Sequence, residues 1–238
     1  MNIIQNSSQH LTARRQKPAI GEIYHVYNRG VEKRNIFKEK VDYFRFVHDL
    51  FEFNDIAPAG KWSSKQSEVG APKVEPRKLL VEILAFCLMP NHFHLMLRQK
   101  EEAGIPEFMR KLGAGYTYFF NNKYERSGCL FQGKYKLVHI IDDNHLQHLP
   151  HYIHLNPLDI IMPEWREGSL QNEEKAFQFL ESYRWSSLLD YMGKKNFPSV
   201  TQREYLREMI GNPHEQKRTL QEWIERNRFE EIEHLALE

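Results

Sequence analysis

The sequence predicts an α+β fold, with four antiparallel strands and two helices in the order β-α-β-β-α-β and more helix behind them. Three stretches carry that prediction. Leu84 to Arg98 reads as strand, tight turn and strand; Glu22 to Gly30 alternates its side chains; and Val41, Phe44, Val47, Leu50 and Phe51 recur at the spacing of a helix face.

In chain order, residues 1–20 are polar, with Arg14, Arg15 and Lys17 and no acid, and form a flexible basic arm. The first strand follows over Glu22 to Gly30, with His25, Tyr27 and Arg29 on one side and Tyr24, Val26 and Asn28 on the other. The first helix spans about Glu39 to Phe53. Residues 55–77 are rich in Gly, Pro and Ser without a period and read as a flexible insertion within the domain.

The run Ile83 to Met89 is wholly apolar, as expected of a strand covered on both faces, and is closed by Pro90 and Asn91. The next strand sends His92, His94, Met96 and Arg98 to one side and Phe93, Leu95 and Leu97 to the other. A second helix begins near Ile105-Pro106, where proline suits the first turn, and runs to about Tyr124. Glycines inside it, Gly113 and Gly115, disfavour helix unless another part of the chain approaches them.

Cys129 to Ile141 reads as the fourth strand, interrupted at Gly133 where a bulge is expected. A third helix covers about Asp143 to Asn156 and stops at Pro157, with Pro150 inside as a kink or a fresh start. The strand and helix order is the ferredoxin-like split pattern, an antiparallel sheet with two helices on one face. The domain so defined spans 21–158. Residues 159–238 form an acidic connector and a helical extension, with helices near 202–210 and 214–235.

Composition narrows the function classes. The chain has 238 residues, 41% of them hydrophobic, and a mean hydropathy of -0.66. Its longest apolar run is seven residues, far short of the roughly 20 that span a bilayer. Cys87 and Cys129 are too few for a disulfide framework or a thiolate zinc cluster. A cytoplasmic protein without membrane association is expected. The net charge of +1 conceals a basic stretch: Phe108 to Ile140 holds six bases against the single acid Glu125, beside eight aromatics. Lys and Arg that track phosphates, interleaved with rings on which bases stack, make this the expected nucleic-acid surface.

Two imidazoles, His92 and His94, project side by side from a central strand. Buried histidines need partners, either local hydrogen bonds or a metal. Tyr152 and Asn156, four apart, share a helix face. Should that face lie over the strand, two imidazoles, an amide oxygen and a phenol meet, a donor set suited to Mg2+ or Mn2+. His148, one turn before Tyr152, is a candidate acceptor of its proton. The ladder His145, His148, His151 and His154 spreads around too much of a helix to hold one ion together.

The stretches YHVYNRGVEKRNIF (Tyr24 to Phe37), LMPNHFHLMLR, FMRKLGAGYTYFFNNKYERSGCLFQGKYK (Phe108 to Lys136) and YIHLNP (Tyr152 to Pro157) together closely resemble the single-tyrosine, His-hydrophobic-His transposases. They look most like the REP-associated tyrosine transposase branch, over about residues 20–160. The resemblance implies a domain that cleaves and joins single-stranded DNA next to hairpins by transesterification, through a 5′-phosphotyrosine. Within it Tyr152 corresponds to the nucleophile, His92 and His94 to the metal-binding pair and Asn156 to the third ligand. Arg110, Lys111, Lys123, Arg126, Lys134 and Lys136 are the expected DNA contacts. A domesticated hairpin-binding protein without cleavage, and a phosphoesterase using water, are the alternatives. Monomer and homodimer both stay open.

Overall fold

The computed structural model describes residues 17–58, 77–167, 170 and 172–225. Most of the expected arm, most of the 55–77 insertion and the end of the last expected helix lie outside these residues. The sheet is built from β1 (Ile23–Arg29), β2 (Val81–Met89), β3 (His92–Gln99) and β4 (Lys136–His139). In space the order is β2-β3-β1-β4, and all three pairings are antiparallel. With α1 (Lys40–Glu52) between β1 and β2, and α2 (Gly104–Lys123) between β3 and β4, this is the ferredoxin-like arrangement expected from the sequence.

Local chemistry sets the element ends. Glu39 and Asp42 close a reciprocal capping box at the start of α1. Asp142 caps α3 (Asp143–Leu155) by accepting from His145 N at 2.7 Å. Pro150 lies inside α3, which nevertheless runs on as one helix. The hydrogen bond lost at Leu146 is offset by the burial of Leu149, Ile153 and Leu155 in the core. The fourth strand is shorter than the expected Cys129 to Ile141, because Gly133 turns with φ at +71°. Ahead of that turn only Phe131 bridges Gly30.

The sheet separates two apolar cores. Tyr24, Val26, Phe86, Leu88, Phe93, Leu95 and Leu97 face α1 and α2, whose Phe46, Leu50, Phe108, Leu112, Tyr116 and Phe120 complete one core. The other face is covered by α3 together with α4 (Glu173–Ser182), α5 (Leu188–Tyr191), α6 (Glu204–Ile210) and α7 (Pro213–Glu225). The strand pair of His92 and Phe93 therefore points into two different layers, as the alternation requires.

The C-terminal extension also closes one edge of the sheet. Leu88 N donates to Trp185 O at 2.9 Å, Ser187 N to Phe86 O at 3.0 Å and Gln202 N to Ile83 O at 3.0 Å. Phe86 N donates to Ser187 Oγ at 3.0 Å. The stretch YRWSS thus satisfies backbone groups that an edge strand would expose. No described helix is long and apolar enough to cross a membrane.

Candidate active site

The site is built first by register. Tyr27 pairs with His94 and Arg29 with His92, so β1 presents His25, Tyr27 and Arg29 on the face where β3 presents its two histidines. His25 Nε2 and His94 Nδ1 lie 2.9 Å apart in a buried hydrogen bond, one ring donating and the other accepting. The rings stack at 5.1 Å. His92 Nδ1 meets Asn91 Oδ1 at 2.7 Å, and the His92 and His94 rings stand perpendicular with centroids 5.0 Å apart.

Helix α3 lays Tyr152 across this floor. Its ring meets His94 edge-on at 5.6 Å and His25 at 6.1 Å. The side chain is buried, at 1% exposure. Asn156 opens a 3-10 turn (Asn156–Ile160) directly after α3, and its Nδ2 donates to Tyr152 O at 2.7 Å. Phenol, amide and imidazoles are therefore gathered by one helix end and two central strands.

A residue from the acidic connector completes the cluster. Arg166 Nη1 donates to Tyr152 Oη at 3.4 Å, Nη2 to Asn156 Oδ1 at 3.0 Å and to Asp159 Oδ2 at 2.7 Å, and Nε to Asp159 Oδ1 at 2.9 Å. Trp165 Nε1 also donates to Asp159 Oδ1, at 2.5 Å. Burial alone would lower the pKa of Arg166, but the hydrogen bond to Asp159 and the neighbouring charges outweigh it, so the guanidinium is held charged more firmly than usual.

Both imidazoles of the expected metal pair have Nδ1 committed, His92 to Asn91 and His94 to His25. Such partners fix tautomer and ring orientation, so each would offer Nε2 to an ion. Two imidazole nitrogens and an amide oxygen suit a hard or borderline divalent cation. The oxygen of Asn156 already accepts from Arg166, however, so an ion there would share it with a guanidinium or displace that group. Among the described residues no group of three or more His, Cys, Asp or Glu could hold a metal ion.

His148 sits differently from the expected base. Its Nε2 meets Asn144 Oδ1 at 2.6 Å, and its ring packs at 5.2 Å from Trp223 of α7. Two other members of the histidine ladder pack into the fold: His151 stacks on Trp223 at 5.0 Å, and His154 Nε2 bonds Ser187 Oγ at 2.8 Å.

The six expected DNA contacts divide. Lys123 Nζ pairs with the buried Asp42 at 2.5 Å and with Glu39 at 2.8 Å, tying α2 to α1. Lys111 Nζ donates to Asp55 O at 2.6 Å. Arg110 pairs with Glu107 at 2.7 Å, and Arg126 Nη1 donates to Asn121 Oδ1 at 3.0 Å. Lys134 and Lys136 are exposed and make no ion pair among the described residues.

Sequence reasoning missed His25 and Arg166. For His25 the signal existed, since strand alternation had grouped it with Tyr27 and Arg29. Arg166 carried none, being one of two bases in a connector read only by its charge.

Fold and site define an α+β domain that shows two strand-borne imidazoles to a tyrosine on a covering helix. Residues 75–156 match the family model described as Transposase IS200 like. Over that segment, which holds both imidazoles, the phenol and the amide, the chain is similar to those transposases. A solved structure described as the REP-associated tyrosine transposase bound to a REP hairpin aligns with a TM-score of 0.45 at 11% identity, covering 80% of this chain and 90% of that one. No curated protein matches the chain.

Proposed function

We propose that this protein cleaves and rejoins single-stranded DNA next to hairpins by transesterification, with Tyr152 as nucleophile. The observation that carries the reading is the meeting of the Tyr152 ring with His94 and His25, while the Asn156 amide folds back on the same helix end. A phenol packed on a histidine pair inside a matched transposase segment is what such chemistry needs, and a purely structural tyrosine does not need it.

Tyr152 Oη would form a bond to phosphorus as the bond from phosphorus to the 3′-oxygen breaks. The phenol gives up its proton, and the departing 3′-oxygen gains one. The product is a 5′-phosphotyrosine, which keeps the energy of the original ester, so another 3′-hydroxyl can reverse the step without ATP. A divalent ion, held by His92 Nε2 and His94 Nε2 with Asn156 joining, would supply polarisation of the phosphate. Arg166 places positive charge beside the tyrosine oxygen, which carries negative charge once its proton has left and again when it departs in the reverse step. Tyr152 is covered by the turn carrying Arg166, so the phosphate gains access as that turn shifts.

The test is a hairpin oligonucleotide with a single-stranded flank, incubated with Mg2+ or Mn2+. An SDS-resistant adduct to the 5′ end of the cut strand is expected from the unaltered protein and none from Tyr152→Phe. An adduct with Tyr152→Phe removes the nucleophile assignment. Binding without any adduct would favour a hairpin-binding protein, and turnover without an adduct a hydrolase using water.

A further inference from the structure

A guanidinium other than that of Arg166 stands on the site face of the sheet. Arg29 ends β1 directly opposite His92 of β3, and residues so paired in antiparallel strands project side by side, with Cβ atoms roughly 5 Å apart. Several bonds fix it there. Arg29 N donates to Asn28 Oδ1 at 2.9 Å, Arg29 O accepts from Gln132 N at 2.8 Å, and the next residue, Gly30, donates from N to Asn91 O at 2.8 Å. Asn91 is also the residue whose Oδ1 meets His92 Nδ1 at 2.7 Å. Gly30 has to be glycine, since a Cβ there would run into the carbonyl oxygen of Arg34. One backbone junction thus sets both Arg29 and the His92 ring.

The two arginines differ in what holds them. The fork of Arg166 is spent on Asp159, Asn156 and Tyr152. Arg29 engages only a neutral amide, Nε donating to Gln132 Oε1 at 2.6 Å. Its Nη1 and Nη2 edge has no hydrogen-bond or ion-pair partner among the described residues, and the side chain is half-buried. Glu32, three residues on, is taken by Arg34 at 2.7 Å.

An arginine that merely tied β1 to the segment carrying Gln132 would use Nε and have no need of its charge. That charge, set beside His92, opposes a divalent ion at the imidazole unless an anion lies between the two. A phosphate fits such a gap. With Nε occupied, the remaining edge still presents paired N–H groups, the fork that matches phosphate oxygens.

We infer that Arg29 is a catalytic residue whose Nη1 and Nη2 edge holds the non-bridging oxygens of the scissile phosphate beside His92. The inference rests on the proposed transesterification and deepens it. It places the reacting phosphate on the floor of the site, at the end of β1, on the other side of the sheet from α2 and its basic residues. No covalent bond to Arg29 forms or breaks; its charge compensates that of the phosphate while Tyr152 attacks.

The experiment measures hairpin binding by fluorescence anisotropy, without divalent ion so that the strand stays uncut. Across the junction of stem and single-stranded flank, one linkage at a time is made a neutral methylphosphonate. In the unaltered protein, neutralising the linkage that is cut should weaken binding about 10-fold, and Arg29→Gln should weaken binding of the all-phosphate strand by a similar factor. The two losses should not multiply: in Arg29→Gln the same methylphosphonate should cost nothing further. Arg29→Lys, which keeps the charge, should recover most of the affinity together with the sensitivity to that linkage. With Mg2+ or Mn2+ present, adduct formation by Arg29→Gln should be about 100-fold slower. Arg29→Met, which keeps the length of the apolar stem, carries the same test if Arg29→Gln unfolds. Losses that multiply at every linkage, the behaviour of an arginine that only braces the fold, overturn the inference, as does coupling to a linkage other than the one cut. If the unaltered protein forms no adduct, coupling of Arg29 to a single linkage keeps the phosphate contact and removes the transesterase; an adduct without such coupling does the reverse. No binding to the hairpin removes both.

Discussion

Arg166 reaches from the connector to Tyr152, donating from Nη1 to the tyrosine hydroxyl at 3.4 Å while its guanidinium carbon lies 5.4 Å from the centre of the ring. The same guanidinium holds Asn156 Oδ1. Tyr152 and Asn156, the proposed nucleophile and the proposed third ligand, are thus tethered to one cation.

Under the proposed function that tether would compete with a metal. Arg166→Ala releases the Asn156 oxygen and removes a positive charge from the site, so Mn2+ should bind about 10-fold more tightly, a gain of about 1.4 kcal/mol. Isothermal titration without DNA reads this directly. Unchanged affinity would mean that the guanidinium and the ion do not contend for the amide.

Lys123 falls in the basic stretch yet serves the fold. Asp42 is fully buried, and its carboxylate meets Lys123 Nζ at 2.5 Å and accepts from Tyr124 Oη at 2.8 Å. Lys123→Ala takes away the charged partner, and a loss of about 1–3 kcal/mol in urea unfolding is expected. Hairpin affinity of the folded fraction should not change; a selective loss of affinity with stability intact would return Lys123 to the DNA surface.

The two helix glycines should respond in opposite directions to alanine. At Gly113 the new methyl meets open space, and the gain in helix propensity should stabilise by about 0.5–1 kcal/mol. At Gly115 it collides with Phe53, and a loss of about 1–3 kcal/mol is expected. Equal shifts in the urea midpoint would contradict the helix packing described above.

Acid sensitivity should trace in part to His154. Burial, with the charge of His151 adding to it, lowers its pKa to about 3, whereas an unfolded histidine titrates near 6.5. Between those values the unfolded chain takes a proton that the folded chain refuses. Its contribution is therefore intact above about pH 6.5 and erodes as the pH falls toward 3. His154→Asn, which can keep a bond to Ser187, should flatten the dependence of the melting temperature on pH between about 6 and 4. The same slope in both proteins would assign that sensitivity to other groups.

Much of this molecule was readable from side-chain periods. Alternation in β3 separated His92 and His94 from Phe93 and Leu95, and β1 could be read the same way, because a strand has one rule for which side a residue takes. The i to i+4 relation of Tyr152 and Asn156 was equally local. Long-range partners were not legible. Nothing near Arg166 in sequence marks it as the neighbour of Tyr152, and nothing in YRWSS announces that its backbone completes β2, since both depend on how the connector returns across α3. The fourth strand was overread because Gly133 bends the chain after one bridge, a left-handed residue that composition alone does not place.

Closing β2 with residues 185–187 makes the sheet one-sided in its capacity to grow. Among the described residues no strand pairs with the outer edge of β4, but that strand is four residues long and begins at Lys136, two residues after Lys134. A second copy approaching edge to edge would gain only a very short ladder, beside the exposed lysines at its start. Extension of the sheet into a neighbouring molecule is thus closed at β2 by backbone pairing and disfavoured at β4 by shortness and charge.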